Sequence, residues 1–196
     1  MTGEARDHGR ARCARDRDTL LLVDLQERLM AAMPEADRER TVRNTARMVE
    51  AARQLGIAVE VSRQYPRGLG DTVEPLRSAL AEAGSVATVT DKTAFSCCGE
   101  ATLQTRLSEH PSVVIGGAET HVCVTQTALD LLDAGVTVFV VADAVCSRNP
   151  ELRVNGLERL RAAGAVITNH ESVLFEWLGD ARAAEFKSVS QLLREV

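Results

Sequence analysis

Ser112-Val113-Val114-Ile115-Gly116-Gly117-Ala118-Glu119-Thr120-His121-Val122-Cys123-Val124-Thr125-Gln126-Thr127-Ala128-Leu129-Asp130-Leu131-Leu132 carries the densest structural signal in the chain. A β-branched apolar run ends in two glycines, a short connection follows, and an apolar-periodic segment begins at a cysteine. This reads as a buried strand, a tight loop and a helix. Cys123 is thereby predicted at a helix N-terminus, where unpaired N–H groups and the positive end of the dipole favour a thiolate and can also receive an oxyanion. Position alone leaves a second reading open, that of a small hydrophobe packed in the core.

Working outward, the other segments share one rhythm. Thr19-Leu20-Leu21-Leu22-Val23-Asp24 is an apolar run closed by a carboxylate, as expected of a central parallel strand. In open α/β sheets ligands bind beyond the carboxyl ends of strands, where Asp24 stands, followed by Gln26 and Glu27. A helical spacing runs from Arg38 to Leu55 and stops at Gly56. Ile57–Val61 is the second strand, followed by the loop Ser62-Arg63-Gln64-Tyr65-Pro66-Arg67-Gly68-Leu69-Gly70, in which Tyr65 and Arg67 are candidates either for substrate recognition or for simple loop cover. A short helix over Val73–Ala83 leads to a third strand, Val86–Val89, with Lys92 just beyond it in Thr90-Asp91-Lys92-Thr93-Ala94-Phe95-Ser96. Lys92 is either a solvated charge or an ammonium reaching back to Asp24 and Cys123. Beyond the central stretch come Val136–Asp143 as fifth strand, with Asp143 either catalytic or loop-organising toward Ser147 and Arg148, then a helix over Glu151–Ala163, a sixth strand Ala165–Thr168, and helices over Asn169–Trp177 and Arg182–Val196. Glu171-Ser172-Val173 is predicted to face a pocket or a neighbouring subunit.

Six short strands alternating with helices predict a three-layer αβα sandwich around a six-stranded, largely parallel, Rossmann-like sheet. Residues 1–18 alternate Arg, Asp, Gly and Ala without periodicity and read as a disordered N-terminal arm that includes Cys13; residues 19–196 read as one domain.

Composition narrows the function. A chain of 196 residues with 45% hydrophobic and 26% charged residues can bury a sizeable core. A net charge of −5 and 3% aromatics supply neither a phosphate-binding face nor stacking platforms, so no nucleic-acid partner is predicted. Five cysteines, Cys13, Cys97, Cys98, Cys123 and Cys146, are an odd number with one adjacent pair, which suits a reducing cytoplasm better than a disulfide framework. No apolar run has the length of a membrane span, and the N-terminus lacks a signal-peptide core. Neither G-x-G-x-x-G after the first strand nor a G-x-x-x-x-G-K-[ST] loop occurs, which removes the main support for dinucleotide or nucleoside-triphosphate binding, and no cofactor is expected.

Several short motifs in fixed order add a resemblance. Leu22-Val23-Asp24-Leu25-Gln26-Glu27, Gln64-Tyr65-Pro66-Arg67-Gly68-Leu69-Gly70, Lys92-Thr93-Ala94-Phe95-Ser96, Gly117-Ala118-Glu119-Thr120-His121-Val122-Cys123-Val124, Ala142-Asp143-Ala144-Val145-Cys146-Ser147-Arg148 and Glu171-Ser172-Val173-Leu174-Phe175 resemble the isochorismatase-like cysteine hydrolases, and within them the isochorismatase domain-containing proteins. The resemblance runs from about Thr19 to Val196. It implies a triad of Asp24 as base and acid, Lys92 as stabilising cation and Cys123 as nucleophile, acting on a small amide, carbamoyl or related C–N substrate through a thioester. It also implies a cis peptide between Ala118 and Glu119, which in a non-proline bond costs about 3–4 kcal/mol, and an oxyanion hole made by the N–H groups of Glu119 and Cys123. Gln26, Tyr65, Phe95 and His121 become candidates for substrate contact, although His121 is equally readable as a structural histidine.

Two departures bear on substrate and metal. Nicotinamidases of this superfamily bind a metal through Asp-x-His after the second strand, whereas Arg63-Gln64-Tyr65-Pro66 stands here, so no metal is expected. Siderophore-pathway isochorismatases lack the cysteine, so its presence favours acyl chemistry. Family members are commonly dimers or larger, and a homo-oligomer is expected. Two other classes stay open at this point: a non-catalytic interaction protein on the same fold, and a thiol redox sensor using Cys97, Cys98 or Cys146.

Overall fold

The computed structural model describes residues 12–194. Six strands, β1 (Asp18–Val23), β2 (Val59–Gln64), β3 (Ala87–Lys92), β4 (Ser112–Ala118), β5 (Thr137–Cys146) and β6 (Val166–Thr168), form one sheet in the order β3-β2-β1-β4-β5-β6. Every pairing between them is parallel, so the predicted sandwich is borne out. Helices α1 (Glu27–Ala31), α2 (Glu35–Leu55), α3 (Pro66–Leu69), α4 (Leu76–Ala83), α5 (Ala101–Ser108), α6 (Thr125–Asp133), α7 (Pro150–Ala163), α8 (His170–Leu178) and α9 (Phe186–Leu192) connect and cover the strands. The predicted elements are present with shifted ends, and the short α1 and α3 were not expected from periodicity because neither is long enough to show one.

Strand alternation divides the core in two. Leu20, Leu22, Val59, Val61, Val114, Phe139 and Val141 pack beneath α2, α4 and α8, while Leu21, Val23, Val113, Ile115, Val138 and Val140 meet α5, α6 and α7 on the opposite face. All six residues of β1 are buried, as befits a strand covered on both sides. Among the described residues the one break in strand register lies between Ile115 and Gly117, where β4 shifts against β5. Gly117 has φ +150, and a Cβ there would fall 2.4 Å from the Val23 carbonyl oxygen and 2.7 Å from Val23 Cβ. The glycine is therefore what lets β4 lie this close to β1. Gly117→Ala is expected to destabilise the fold by about 2–3 kcal/mol, read as a lowered urea midpoint; a midpoint equal to that of the wild type would refute the close-approach argument.

Two expectations about the N-terminus need separate answers. Met1 to residue 11 lie outside the described residues. Arg12–Arg17, expected as part of the disordered arm, instead form a turn leading into β1, which begins at Asp18. Cys13 is buried, and its N–H donates to Glu176 Oε2 at 2.7 Å; Asp18 accepts from the Ala14 N–H at 2.8 Å, from Trp177 Nε1 at 2.8 Å and from Ser112 Oγ. The polar look of this segment hid a buried carboxylate whose partners lie as far away as α8. Burial pushes the Asp18 carboxyl up, and the hydrogen bonds from Ser112, Trp177 and Ala14 oppose that only in part.

Candidate active site

The carboxyl edge of the sheet gathers the residues singled out from the sequence. Asp24 follows the last residue of β1, and Lys92 is the last residue of β3 rather than a residue just beyond it. Because β2 lies between those two strands, their backbones are about two strand spacings, roughly 9.5 Å, apart. The side chains close that gap: Lys92 Nζ donates to Asp24 Oδ2 at 2.7 Å, and both side chains are fully shielded from solvent. The remaining ammonium protons face Gln64 Oε1 at 2.9 Å and the carbonyls of Phe95 at 3.0 Å and Ala94 at 3.2 Å. Asp24 Oδ1 accepts from Ser62 Oγ at 2.7 Å. A buried ion pair survives desolvation only when its other polar positions are filled, and here they are.

Cys123 completes the group. It lies in a π-helical turn, Thr120–Val124, that runs directly into α6, and its thiol stands close enough to Asp24 for the carboxylate to bear on its protonation. Thr125 Oγ1 donates to the Thr120 carbonyl at 2.6 Å and Thr120 Oγ1 to the Cys146 carbonyl at 3.0 Å, so the turn is pinned to both α6 and β5. Gly156 of α7 lets that helix lie against the turn, since a Cβ there would come within 3.2 Å of the His121 backbone. The expected easily formed thiolate is not what this environment gives. Burial first and the Asp24 charge second push the Cys123 thiol up to about 12, with Lys92 opposing them only in part. At rest the sulfur is a thiol facing a carboxylate, because loss of hydration outweighs the helix dipole.

The connection before the turn departs from expectation in another way. The bond between Ala118 and Glu119 is not cis; the cis bond among the described residues is Glu74–Pro75. The chain reverses instead through a left-handed Glu119, with φ 54 and ψ 64, after the φ of +150 at Gly117. Rotation about φ and ψ achieves the bend without the cost of a non-proline cis bond. Among the described residues the three non-glycine residues with positive φ, Asp24, Tyr65 and Glu119, follow β1, β2 and β4 at this same edge. Each such conformation costs on the order of 1–3 kcal/mol, and strain of this kind collects where surrounding structure fixes functional groups.

The candidates for substrate contact separate. Tyr65 and Phe95 are more than half exposed and stand at the rim, tied to Lys92 through their backbones: the Tyr65 N–H donates to the Lys92 carbonyl at 2.8 Å, and Phe95 supplies a carbonyl to its ammonium. Gln26 is wholly buried and fully occupied. Its amide nitrogen donates to the carbonyls of Gln64 at 3.1 Å and Gly70 at 2.8 Å, and its oxygen accepts the Gln64 N–H at 2.7 Å, so it clamps the loop after β2 and is corrected from substrate contact to scaffold. His121 is largely buried, with Nδ1 3.1 Å from Ser147 Oγ and 3.2 Å from Glu119 Oε2; Arg148 reaches the other Glu119 oxygen at 3.4 Å. That favours the structural reading of His121.

Asp143 organises α8 rather than Ser147 or Arg148. Its carboxylate accepts the His170 N–H at 2.9 Å and faces His170 Nδ1 at 2.6 Å. Burial pushes the Asp143 carboxyl up, but the hydrogen bonds from His170 outweigh it and hold the group below the usual carboxylate range. A depressed folded-state value means that the stabilisation is complete above the unfolded value, about pH 4, and is lost as pH falls through the lower folded value. Asp143→Asn is therefore expected to flatten the fall in stability below about pH 4, as read by urea midpoints across pH; an unchanged acid limb would refute it. Of Glu171-Ser172-Val173, Val173 is core and the Ser172 N–H is capped by Asn169, which leaves Glu171 exposed.

Ser62 and Gln64 went unrecognised as site residues in the sequence, although each contacts the ion pair. They are alternate residues of β2 and so share one face of the strand between β1 and β3. Among the described residues no grouping of three His, Cys, Asp or Glu side chains could hold a metal ion, and Arg63 is engaged by Asp91 and Asp71 at 2.7 Å each. A groove of about 700 Å³ between α1, α2 and residues 73–75, lined by Met30, Val42, Ala46 and Val73, does not include Cys123. No described helix is long and apolar enough to cross a membrane.

A parallel αβα sandwich with a buried Asp–Lys pair against a thiol at the carboxyl edge defines a Rossmann-like class with a hydrolase fold. The chain belongs to the isochorismatase family: the isochorismatase domain model matches residues 18–172. It is 45% identical over 157 residues to the secreted isochorismatase effector Isc1 of Phytophthora sojae, which covers 79% of this chain and 74% of that protein. It is 40% identical over 182 residues to isochorismatase domain-containing protein 2 of Xenopus laevis, covering 90% and 83% respectively. Among solved structures it resembles the MAR1 ribonuclease of Caenorhabditis elegans, with TM-score 0.87, 35% identity and coverage of 94% and 93%. The octameric YcaC hydrolase of Escherichia coli shares the fold at TM-score 0.84 and 21% identity, covering 98% and 91%.

Proposed function

We propose that this protein is a cysteine-dependent hydrolase of small amide, carbamoyl or related C–N substrates. The observation that carries this reading is the meeting of three groups at the carboxyl edge of the sheet: a thiol, a carboxylate near enough to bear on its protonation, and a buried ammonium on that carboxylate. A thiol at rest beside a carboxylate is suited to general-base activation. Asp24 takes the S–H proton as Cys123 Sγ attacks the acyl carbon; the C–N bond then breaks as Asp24 returns that proton to the leaving nitrogen, and water resolves the thioester. Lys92 remains charged throughout and compensates the negative charge as it passes from oxygen to sulfur. The N–H groups of Glu119 and Cys123 are assigned to the carbonyl oxygen, and Tyr65 and Phe95 to the substrate's outer face. The reaction is proposed without a metal, a reading supported by Arg63-Gln64-Tyr65-Pro66, where the family resemblance would otherwise put an Asp-x-His motif, and by the engagement of Arg63 with Asp71 and Asp91.

The name of the Caenorhabditis elegans neighbour raises RNA as a substrate. The net charge of −5 and the thiol–carboxylate chemistry both favour a small neutral acyl compound instead. A homo-oligomer in a reducing compartment completes the proposal, in keeping with five free cysteines. The test is turnover of a panel of small primary amides, carbamoyl compounds and an oligoribonucleotide, with intact-mass detection of the quenched enzyme. An acyl adduct localised to Cys123 is expected. RNA cleavage without such an adduct, or an adduct on another cysteine, overturns the reading.

A further inference from the structure

The Asp24 carboxylate is held by two donors of different kinds, and the difference decides where a proton can go. Oδ2 belongs to Lys92, whose ammonium also faces Gln64 Oε1 and the Phe95 and Ala94 carbonyls. Its protons are committed, and it cannot withdraw from Oδ2 without leaving a buried charge unpaired. Oδ1 belongs to the Ser62 hydroxyl at 2.7 Å, which is neutral and free to rotate about its C–O bond. Ser62 is itself wholly buried, so no water substitutes for it.

A second partner stands behind that hydroxyl. The Cys97 thiol lies near enough to the side chains of Ser62 and Thr127 for both to favour its ionised form, and the Cys97 N–H donates to Thr127 Oγ1 at 2.9 Å. Thr127 lies one helical turn beyond Cys123 on α6, so Cys97 is wedged between the base and the helix that follows the nucleophile. It is fully buried, and its thiol is pushed up to about 11 by burial first and the Asp24 charge second, which suits a packed hydrogen-bonding group and not a redox sensor. When Oδ1 carries a proton, the Ser62 hydroxyl can turn toward this sulfur and accept from Oδ1; when Oδ1 is ionised it donates back.

We propose that Ser62, backed by Cys97, is the positioning residue that makes Oδ1 of Asp24 the site of proton uptake from Cys123. The proton balance is simple: Sγ–H loses its proton to Oδ1, the negative charge moves to sulfur, and Ser62 changes from donor to acceptor with no net gain or loss. The inference rests on the reading of Cys123 as nucleophile and Asp24 as its base.

Its test requires no substrate. Iodoacetamide labelling of Cys123, followed by peptide mass across pH, is expected to show an acidic limb in the wild type, because only the ionised carboxylate can take the thiol proton. Ser62→Ala removes a hydrogen bond made to the charged form, so the limb is expected to move up by about one pH unit. Ser62→Thr keeps a hydroxyl and is expected to leave the limb where the wild type has it, and Asp24→Asn to abolish it. Urea midpoints and circular dichroism establish that each variant is folded. A limb that Ser62→Ala does not move, while Asp24→Asn removes it, overturns the Ser62 proposal and leaves the base intact. Equal shifts in Ser62→Ala and Ser62→Thr assign the effect to packing and likewise overturn it. A limb that persists in Asp24→Asn overturns both readings.

Discussion

Cys123→Ala is expected to remove turnover of any amide that the wild type hydrolyses, by a factor on the order of 10⁴ or more, while leaving the fold in place. The size follows from the chemistry. Losing a covalent nucleophile leaves only binding and oxyanion stabilisation, and removing one member of a nucleophile–base unit costs about as much as removing the whole unit. The fold is spared because the sulfur is a small buried group whose removal leaves no charge without a partner; Asp24 keeps Lys92 and Ser62. Stability is expected to change by roughly 1 kcal/mol, near the cost of one buried group of methylene size. The check is single-turnover kinetics beside urea titration of the same preparation. Turnover within tenfold of the wild type refutes the nucleophile assignment.

Lys92→Met is expected to lower stability by about 3–5 kcal/mol, several times the effect of the cysteine change. Methionine matches the lysine stem in volume, so the loss is electrostatic rather than steric. It leaves Asp24 as an uncompensated carboxylate with neither side chain of the original pair open to water. The Gln64 amide oxygen and the Ala94 and Phe95 carbonyls lose their donor at the same time. The double variant Lys92→Met/Asp24→Leu is expected to recover much of that stability, because it removes the stranded charge along with its partner. A thermodynamic cycle over the four proteins measures the coupling directly, and additive single effects would show that the pair contributes nothing as a pair. The contrast between the two variants separates what the site needs for chemistry from what the fold needs to hold the site together.

Much of this arrangement was legible in the order of residues. An apolar strand buried on both faces leaves a continuous apolar run rich in Leu, Ile and Val, and Thr19–Val23, Val113–Ile115 and Val138–Val141 each carry one. Parallel sheets need a crossover between strands, so alternation with helices gave the layered fold. The same logic put Asp24 and Lys92 at strand ends, where they stand, whereas Cys123 lies in the turn between β4 and α6. What did not transfer was everything requiring knowledge of neighbours across the sheet. Gln26 looked like a residue beside a site and proved to be a clamp on the loop after β2. Cys13 and Asp18 looked like part of a solvated arm and proved to be buried against α8.

The sequence by itself determined the layers, the count of strands, and which side chains would stand at the carboxyl edge, because these depend on periodicities of two and 3.6 residues and on strand-terminal position. Only the tertiary structure decided the strand order β3-β2-β1-β4-β5-β6, and with it the fact that an Asp–Lys pair must bridge over β2, through Ser62 and Gln64. Strand order is set by which faces bury the most apolar area together, a sum over the whole chain that no local window contains. The state of the sulfur belongs to the same category: its position suggested a thiolate, but desolvation depends on what packs around it, and here that packing makes it a thiol beside the Asp24 carboxylate.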